Sequence, residues 1–240
     1  IYNNPNELLS ISRGSAETTL LKLTSAYSTF INGGKLVSPI LIDRVQDSEG
    51  NTIFKNEERI CKNCEKISYI GDEYPEVQND YKQIFSSEKA YQITSLLEGV
   101  IKRGTAKKLR KLKINIAGKT GTTNENTDAW FIGFTSDLLI GVYVGMDNPS
   151  SLGKFETGSK TALPIFKNFI ESAIKKSEAR QFKVSDGITM MVIDPMTGQK
   201  AKFTSKNTIL EAYKSKNVVD GEVLYSNNNR LDANNILKFY

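Results

Sequence analysis

The tightest constraint on this 240-residue chain is a short run near its middle, Ala117-Gly118-Lys119-Thr120-Gly121-Thr122-Thr123. Lys113-Ile114-Asn115-Ile116 leads into it, alternating polar and apolar as a half-buried strand does. A polar turn, Asn124-Glu125-Asn126-Thr127, follows, and then the apolar run Asp128-Ala129-Trp130-Phe131-Ile132-Gly133. The composition suggests its own chemistry. The ammonium of Lys119 and the hydroxyls of Thr120 and Thr122, set along a strand edge, make a seat for a carboxylate. Gly121 leaves room for a ligand backbone to lie against the strand. The unpaired N–H and C=O groups of an exposed edge let a peptide add as a further strand.

The rest of the composition removes other chemistries. The chain has no histidine, so serine–histidine–aspartate hydrolysis and histidine-bound zinc are both excluded within it. A formal charge of +5 suits attraction to anionic surfaces such as wall polymers or lipids. The basic run from Lys102 to Lys113 is mixed with leucine and isoleucine and reads as a solvated helix–strand connection. No base-reading motif or aromatic interleaving accompanies it, so nucleic acid is not an expected partner. No stretch is long and apolar enough to span a membrane, and no signal peptide opens the chain. Ile1-Tyr2-Asn3-Asn4-Pro5 reads as mid-protein sequence, and the chain is expected to be a piece of a longer one.

Taken in order, Thr18 or Thr19 can cap a helix with Leu20, Leu23, Tyr27, Phe30 and Ile31 on one face, ended by Asn32-Gly33-Gly34. Val37–Val45 and Thr52–Phe54 read as a hairpin around Asp47-Ser48-Glu49-Gly50-Asn51. Residues 55–80 are polar, weakly patterned and expected to be a surface excursion with disorder. Cys61 and Cys64 inside it fit a redox pair, half of a zinc site, a local disulfide or two free thiols. Zinc would need two more ligands, and the chain offers neither histidine nor another cysteine for them. Ser86 or Ser87 caps a second helix, with Glu88 in its first turn and Ile93, Leu96, Leu97, Val100 and Ile101 on its apolar face. Arg103-Gly104-Thr105 closes that helix, and a short one over 106–109 follows. The central strand and the runs 129–134 and 138–146 make an antiparallel meander. Their near-continuous hydrophobicity predicts helices on both sides. A helix follows with Pro164 in its first turn. Ile188–Ile193 and Lys200–Phe203 then read as a hairpin about the turn Asp194-Pro195-Met196-Thr197-Gly198, and 213–240 as a flexible tail.

Lys-Thr-Gly at the end of a strand is one of three short signatures of the serine enzymes that react with penicillin. The surrounding Ala-Gly-Lys-Thr-Gly-Thr-Thr, Asp-Ala-Trp-Phe-Ile-Gly-Phe-Thr and Gly-Val-Tyr-Val-Gly-Met-Asp resemble the transpeptidase domain of class A penicillin-binding proteins. Ala-Tyr-Ser-Thr-Phe-Ile-Asn-Gly-Gly at 26–34 is similar to the same family, and the likeness fades after the Asp194–Gly198 turn. The resemblance implies an α/β (α+β type) fold, with an antiparallel sheet flanked by helices and a small C-terminal β-hairpin extension. Residues 1–181 would be the downstream part of the transpeptidase domain, including the hairpin and excursion at 36–80. Residues 182–240 would be the hairpin extension and a weakly ordered tail.

The family crosslinks wall peptides. A serine attacks the bond between two terminal D-alanines, and an amino group from a neighbouring stem peptide resolves the acyl-enzyme; β-lactams mimic the D-alanyl-D-alanine end. By resemblance Lys119 supplies positive field, Thr120 and Thr122 bind the terminal carboxylate, Gly121 gives clearance, and the Thr122 backbone N–H is one oxyanion donor. The other signatures, Ser-x-x-Lys and Ser-x-Asn, are expected upstream of Ile1, so the nucleophile is absent here and the chain alone should be inactive. Ser86-Ser87-Glu88-Lys89 satisfies the Ser-x-x-Lys pattern, but it lies too near the central strand and reads as a helix cap. Ser205-Lys206-Asn207 and Ser215-Lys216-Asn217 follow the central strand and read as chance matches.

No cofactor or metal is implied. The expected partners are stem peptides, lipid-linked precursor, β-lactams and the upstream part of the same polypeptide. The parent is expected to carry a glycosyltransferase domain and a membrane anchor and to face the periplasm or cell exterior. The rival readings are a serine β-lactamase-like or penicillin-sensing domain and a non-catalytic wall-binding domain. The long 55–80 excursion and the 194–198 extension favour the transpeptidase.

Overall fold

The computed structural model describes residues 14, 16–56, 60–64, 74–78, 81–174, 180–205, 207–219 and 222–223. At its centre β5 (Ala117–Thr122), β6 (Ala129–Phe134) and β7 (Leu139–Val144) form an antiparallel meander in the order β5-β6-β7. The register fixes which side chains share a face, because alternate residues of a strand point to opposite sides. Gly118, Thr120 and Thr122 lie with Ala129, Phe131 and Gly133 and with Ile140, Val142 and Val144. That face packs on α3 (Ala162–Ala173), whose Leu163, Phe166 and Ile170 are buried against Ala129 and Phe131. The opposite face carries Ala117, Lys119 and Gly121, then Trp130, Ile132 and Phe134, then Leu139, Gly141 and Tyr143.

Two helices cover that second face. In α1 (Leu20–Ile31) the Thr19 hydroxyl caps the N-terminus by accepting from the Lys22 N–H, and Tyr27, Phe30 and Ile31 pack against Ala117 and Phe134. Gly141 lets α1 come close, since a Cβ there would collide with Thr24 Oγ1 and meet Leu20 Cδ1 at 2.9 Å. In α2 (Ser87–Lys102) Ser86 is the cap, accepting from Lys89 N–H, and Ile93 and Leu97 join the same cluster. The meander flanked by helices on both sides is the architecture that the near-continuous apolar strands predict.

Three boundaries differ from the sequence reading. Lys113 to Ile116 is not strand: a 3-10 helix over Lys107–Leu112 ends in Lys113 at φ 56°, and the backbone extends only from Ala117. Leu109 and Leu112 are buried, so this segment is packed by its leucines and not by strand alternation. The first hairpin is shorter than expected, β1 (Arg44–Gln46) with β2 (Thr52–Lys55), fully exposed and closed by Asp47, whose carboxylate accepts from Glu49 and Asn51 N–H.

The third difference is at the C-terminal end. β8 (Ile188–Ile193) pairs along its whole length with β9 (Ile209–Lys214), whereas the 200–203 run meets it only through a bridge at Lys200 and the Ala201 N–H. A tight Asp194–Gly198 turn does form, with Gly198 N–H on Asp194 O. It opens a longer connection because β9 has the buried partner Ala212 that 200–203 lacks. Met191, Ile193, Ile209, Tyr213 and Val218 form a small cluster of their own. Its sheet docks on α2 through Gln92 Nε2 to Ala212 O (3.0 Å) and an Arg103–Glu211 ion pair. Within the excursion, β3 (Ile60–Lys62) pairs with β4 (Glu76–Gln78) and Cys61 is joined to Cys64. A short ladder of β10 (Val218–Val219) and β11 (Glu222–Val223) ends the described chain. The flexible tail expected over 213–240 is regular structure at its start, where Tyr213 and Lys214 belong to β9, Ser215–Asn217 is 3-10 helix and β10 pairs with β11; 224–240 and the rest of the excursion lie outside the described residues.

Candidate functional site

Among the described residues β5 is an edge strand, paired on one side only. Thr123 N–H donates to Asp128 O, in register with β5–β6. In an antiparallel ladder the paired groups alternate, so residues 119 and 121 turn their backbone groups to β6. Thr120 and Thr122 therefore direct N–H and C=O outward from the free edge.

Each sequence-predicted residue has a distinct place on this edge. Lys119 is exposed and its Nζ donates to Thr120 O at 2.8 Å. An ammonium has three donors, and no carboxylate pairs with it among the described residues. Protein packed around the amine makes the charged form costlier, which lowers the Lys119 pKa below 10.5. Thr120, half-buried on the α3 face, has its hydroxyl 2.9 Å from that of Thr105. Thr122 Oγ1 accepts from Gly158 N–H at 3.0 Å. Gly121 shares the Lys119 face, where an added Cβ would lie 3.1 Å from Trp130 Cβ. Lys119 and the two threonine hydroxyls thus flank the edge from opposite faces of the strand, with the outward backbone groups between them.

Thr105 and Gly158 are the residues that the sequence reading did not assign to the site. In the sequence Thr105 reads only as part of a helix stop. The close turn that returns it to β5 depends on Gly104, where a Cβ would sit 2.9 Å from Val100 Cα. Gly104 and Ala106 N–H both bond to Val100 O. Gly158 reaches Thr122 because the loop before it is tied to the β5–β6 turn. Leu152 N–H donates to Asn126 O, the Asn126 amide donates to Gly153 O and Lys154 O, and Ser151 Oγ donates to Glu125 O. Gly158 O then accepts from Leu163 N–H at the start of α3. On the Gly121 face, Trp130 and Tyr143 rings lie 4.6 Å apart. Tyr143 donates to Asp128 Oδ1 at 2.9 Å, which with partial desolvation and nearby negative charge raises the phenol pKa.

The nucleophile-like strings lie elsewhere. Ser86 caps α2 and lines a cavity of about 660 Å³ with Phe30, Asn32, Tyr91, Asp137 and Phe182; none of Lys119–Thr122 borders it. Two further Ser-x-x-Lys strings, from Ser151 and Ser172, escaped the sequence reading. Ser151 is in the loop just described, and Ser172 donates to Phe169 O near the end of α3. Neither opens a helix. Ser205 and Ser215 bond within the C-terminal region, to Lys202 N–H and the Thr189 hydroxyl respectively.

A family model described as the penicillin binding protein transpeptidase domain matches residues 3–171. The chain belongs to that family. It is 39% identical over 237 residues to penicillin-binding protein 1A of Rickettsia bellii, covering 95% of this chain and 29% of the relative. It is 41% identical over 220 residues to penicillin-binding protein 1A of Rickettsia conorii, covering 91% and 28%. Among solved structures, penicillin-binding protein 1A from Haemophilus influenzae superposes with a TM-score of 0.68 at 30% identity, over 84% of this chain and 33% of that one. PonA1 from Mycobacterium tuberculosis, with a TM-score of 0.56 at 24% identity over 74% and 44%, shares the fold. The chain spans less than a third of the length of these curated relatives.

Proposed function

We propose that this chain supplies the Lys-Thr-Gly wall of a penicillin-sensitive D,D-transpeptidase that crosslinks peptidoglycan stem peptides through a serine acyl-enzyme. The observation that carries the reading is the free outer edge of β5. Outward backbone groups of Thr120 and Thr122 are flanked there by two hydroxyls and by an ammonium that no carboxylate among the described residues pairs with. A stem peptide ending in D-alanyl-D-alanine adds along the edge as a strand. Its terminal carboxylate takes charge-assisted hydrogen bonds from Lys119 and from the Thr120 and Thr122 hydroxyls. The Thr122 N–H meets the scissile carbonyl oxygen as it gains negative charge. The serine Oγ adds to the carbonyl carbon, the C–N bond breaks, and the terminal D-alanine leaves with the proton. The acceptor stem's amine then displaces the serine from the ester, forming the crosslink.

That serine lies outside residues 1–240 in this reading, on another part of the same polypeptide. The parent is a class A enzyme with a glycosyltransferase domain acting on lipid-linked precursor, held at the outer face of the cytoplasmic membrane. Family membership and similarity to the 1A proteins support this. The test is intact mass followed by peptide mapping after penicillin treatment. The complete protein is expected to gain one stoichiometric adduct outside this chain, and the isolated chain none. An adduct on residues 1–240, sought first at Ser86, overturns the assignment.

A further inference from the structure

We propose that Thr105 is a positioning residue that sets the Thr120 hydroxyl as a hydrogen-bond donor toward the ligand carboxylate. This rests on the carboxylate seat proposed above. A threonine hydroxyl has one proton and two lone pairs, and an anion can be held only by the proton. The Thr122 oxygen accepts from the Gly158 N–H at 3.0 Å, a backbone group that can only donate. That bond occupies a lone pair and leaves the Thr122 proton for a ligand.

Thr120 is set up the same way by a side chain. Its Oγ1 lies 2.9 Å from Thr105 Oγ1, and either oxygen can supply the proton of that bond. If Thr120 donated, its oxygen would turn a lone pair toward the anion. With Thr105 donating, the Thr120 proton is free to point outward and the exposed Thr105 oxygen accepts from water. An anion in the seat therefore selects the Thr105-donating arrangement. The two hydroxyls follow one plan, each accepting from a group off β5 and keeping its own proton for the ligand. Thr105 is held in place by the Gly104 turn, by the fully buried Ala106 after it and by the Ala106 N–H bond to Val100 O.

The Thr122 arrangement is enforced by backbone, so only the Thr120 half can be removed by changing a side chain alone. The experiment measures the acylation rate of the complete protein by benzylpenicillin and by its methyl ester, which lacks the carboxylate. Thr105→Val is expected to slow acylation by benzylpenicillin roughly fivefold to tenfold and to leave the ester within about twofold of wild type. Thr105→Ser, which keeps the hydroxyl, is expected to restore the rate. If Thr105→Val does not fold, Thr105→Ala carries the same two expectations. An equal loss for both ligands would make Thr105 a merely structural residue, and no loss for either would end the proposal. Thr120→Val is run beside them to separate the levels. If it loses the preference for the carboxylate while Thr105→Val keeps it, only the Thr105 role fails. If Thr120→Val keeps the preference too, Thr120 is not part of the seat and the Thr105 role falls with it.

Discussion

Gly158 bears most directly on the geometry of the edge, and Gly158→Ala is the substitution to make there. A Cβ built on Gly158 would lie 2.5 Å from Gly121 O, closer still to Trp130 O, and 3.1 Å from Gly121 N. All three are backbone atoms of a paired ladder, so the loop must withdraw from β5 or the β5–β6 pairing must open. Overpacking of this kind costs about 1–3 kcal/mol. Withdrawal also breaks the Gly158 N–H bond to Thr122 Oγ1, worth about 1 kcal/mol net. The sum, about 2–4 kcal/mol, corresponds to roughly 30- to 800-fold faster local opening at 1.4 kcal/mol per factor of ten. Hydrogen exchange of the peptide spanning 117–134 in the complete protein reads this directly, because protection of a ladder amide reports its opening free energy. The expected result is a loss of that size in β5 and β6, with the C-terminal β8–β9 sheet unchanged. Unaltered exchange in β5 and β6 would refute the close seating of Gly158 and with it the account of the Thr122 hydroxyl.

Phe166→Ala removes a fully buried ring that meets Phe131 edge-on at 4.8 Å; it should destabilise the sheet–α3 layer by about 3–5 kcal/mol, read as lost exchange protection in α3 and β6. Glu211→Ala leaves Arg103 without its carboxylate at the α2 C-terminus. Desolvation raises the Glu211 pKa against the pull of Arg103 and the arginine is part-exposed, so the net cost should be only about 0–1 kcal/mol, read as little or no gain of exchange in β8–β9, with the meander unchanged. Lys119 gives two pH dependences. Because partial desolvation of its amine depresses its pKa below 10.5, acylation by a carboxylate-bearing penicillin should fall off at lower pH than an ordinary lysine would allow, and Lys119→Arg should move that fall upward. The stability sign runs the other way: between the depressed pKa and the unfolded value the unfolded chain binds more protons, so the Lys119 contribution to stability rises with pH across that window.

The meander was legible because β6 and β7 are apolar at nearly every position, which fits a sheet covered on both faces. Helices α1 and α2 were legible from 3.6-residue periodicity and a capping hydroxyl at each start. The lead-in to β5 was misread because Lys113-Ile114-Asn115-Ile116 alternates by chance, while the backbone is committed to a left-handed residue at Lys113. The partner of β8 was misread because tight-turn chemistry at Asp194–Gly198 marks a reversal of the chain but does not say which later segment fills the ladder. In the candidate site, Lys119, Thr120, Gly121 and Thr122 could be named from the motif. Thr105 and Gly158 could not, since they reach the threonine hydroxyls from 15 and 36 residues away in sequence. The only local trace of them was a glycine beside or at each position, at Gly104 and Gly158, where backbone approaches too closely for a side chain.

The central claim is that the β5 edge forms one wall of an acylation site whose serine lies outside these 240 residues. A crystal structure of the complete protein after reaction with benzylpenicillin tests it most directly. The account predicts the opened drug lying along β5, its carboxylate on Lys119 Nζ and the Thr120 and Thr122 hydroxyls, and its ester carbonyl oxygen on the Thr122 N–H. A drug bonded to Ser86, or one whose carboxylate sits away from Lys119, would contradict it.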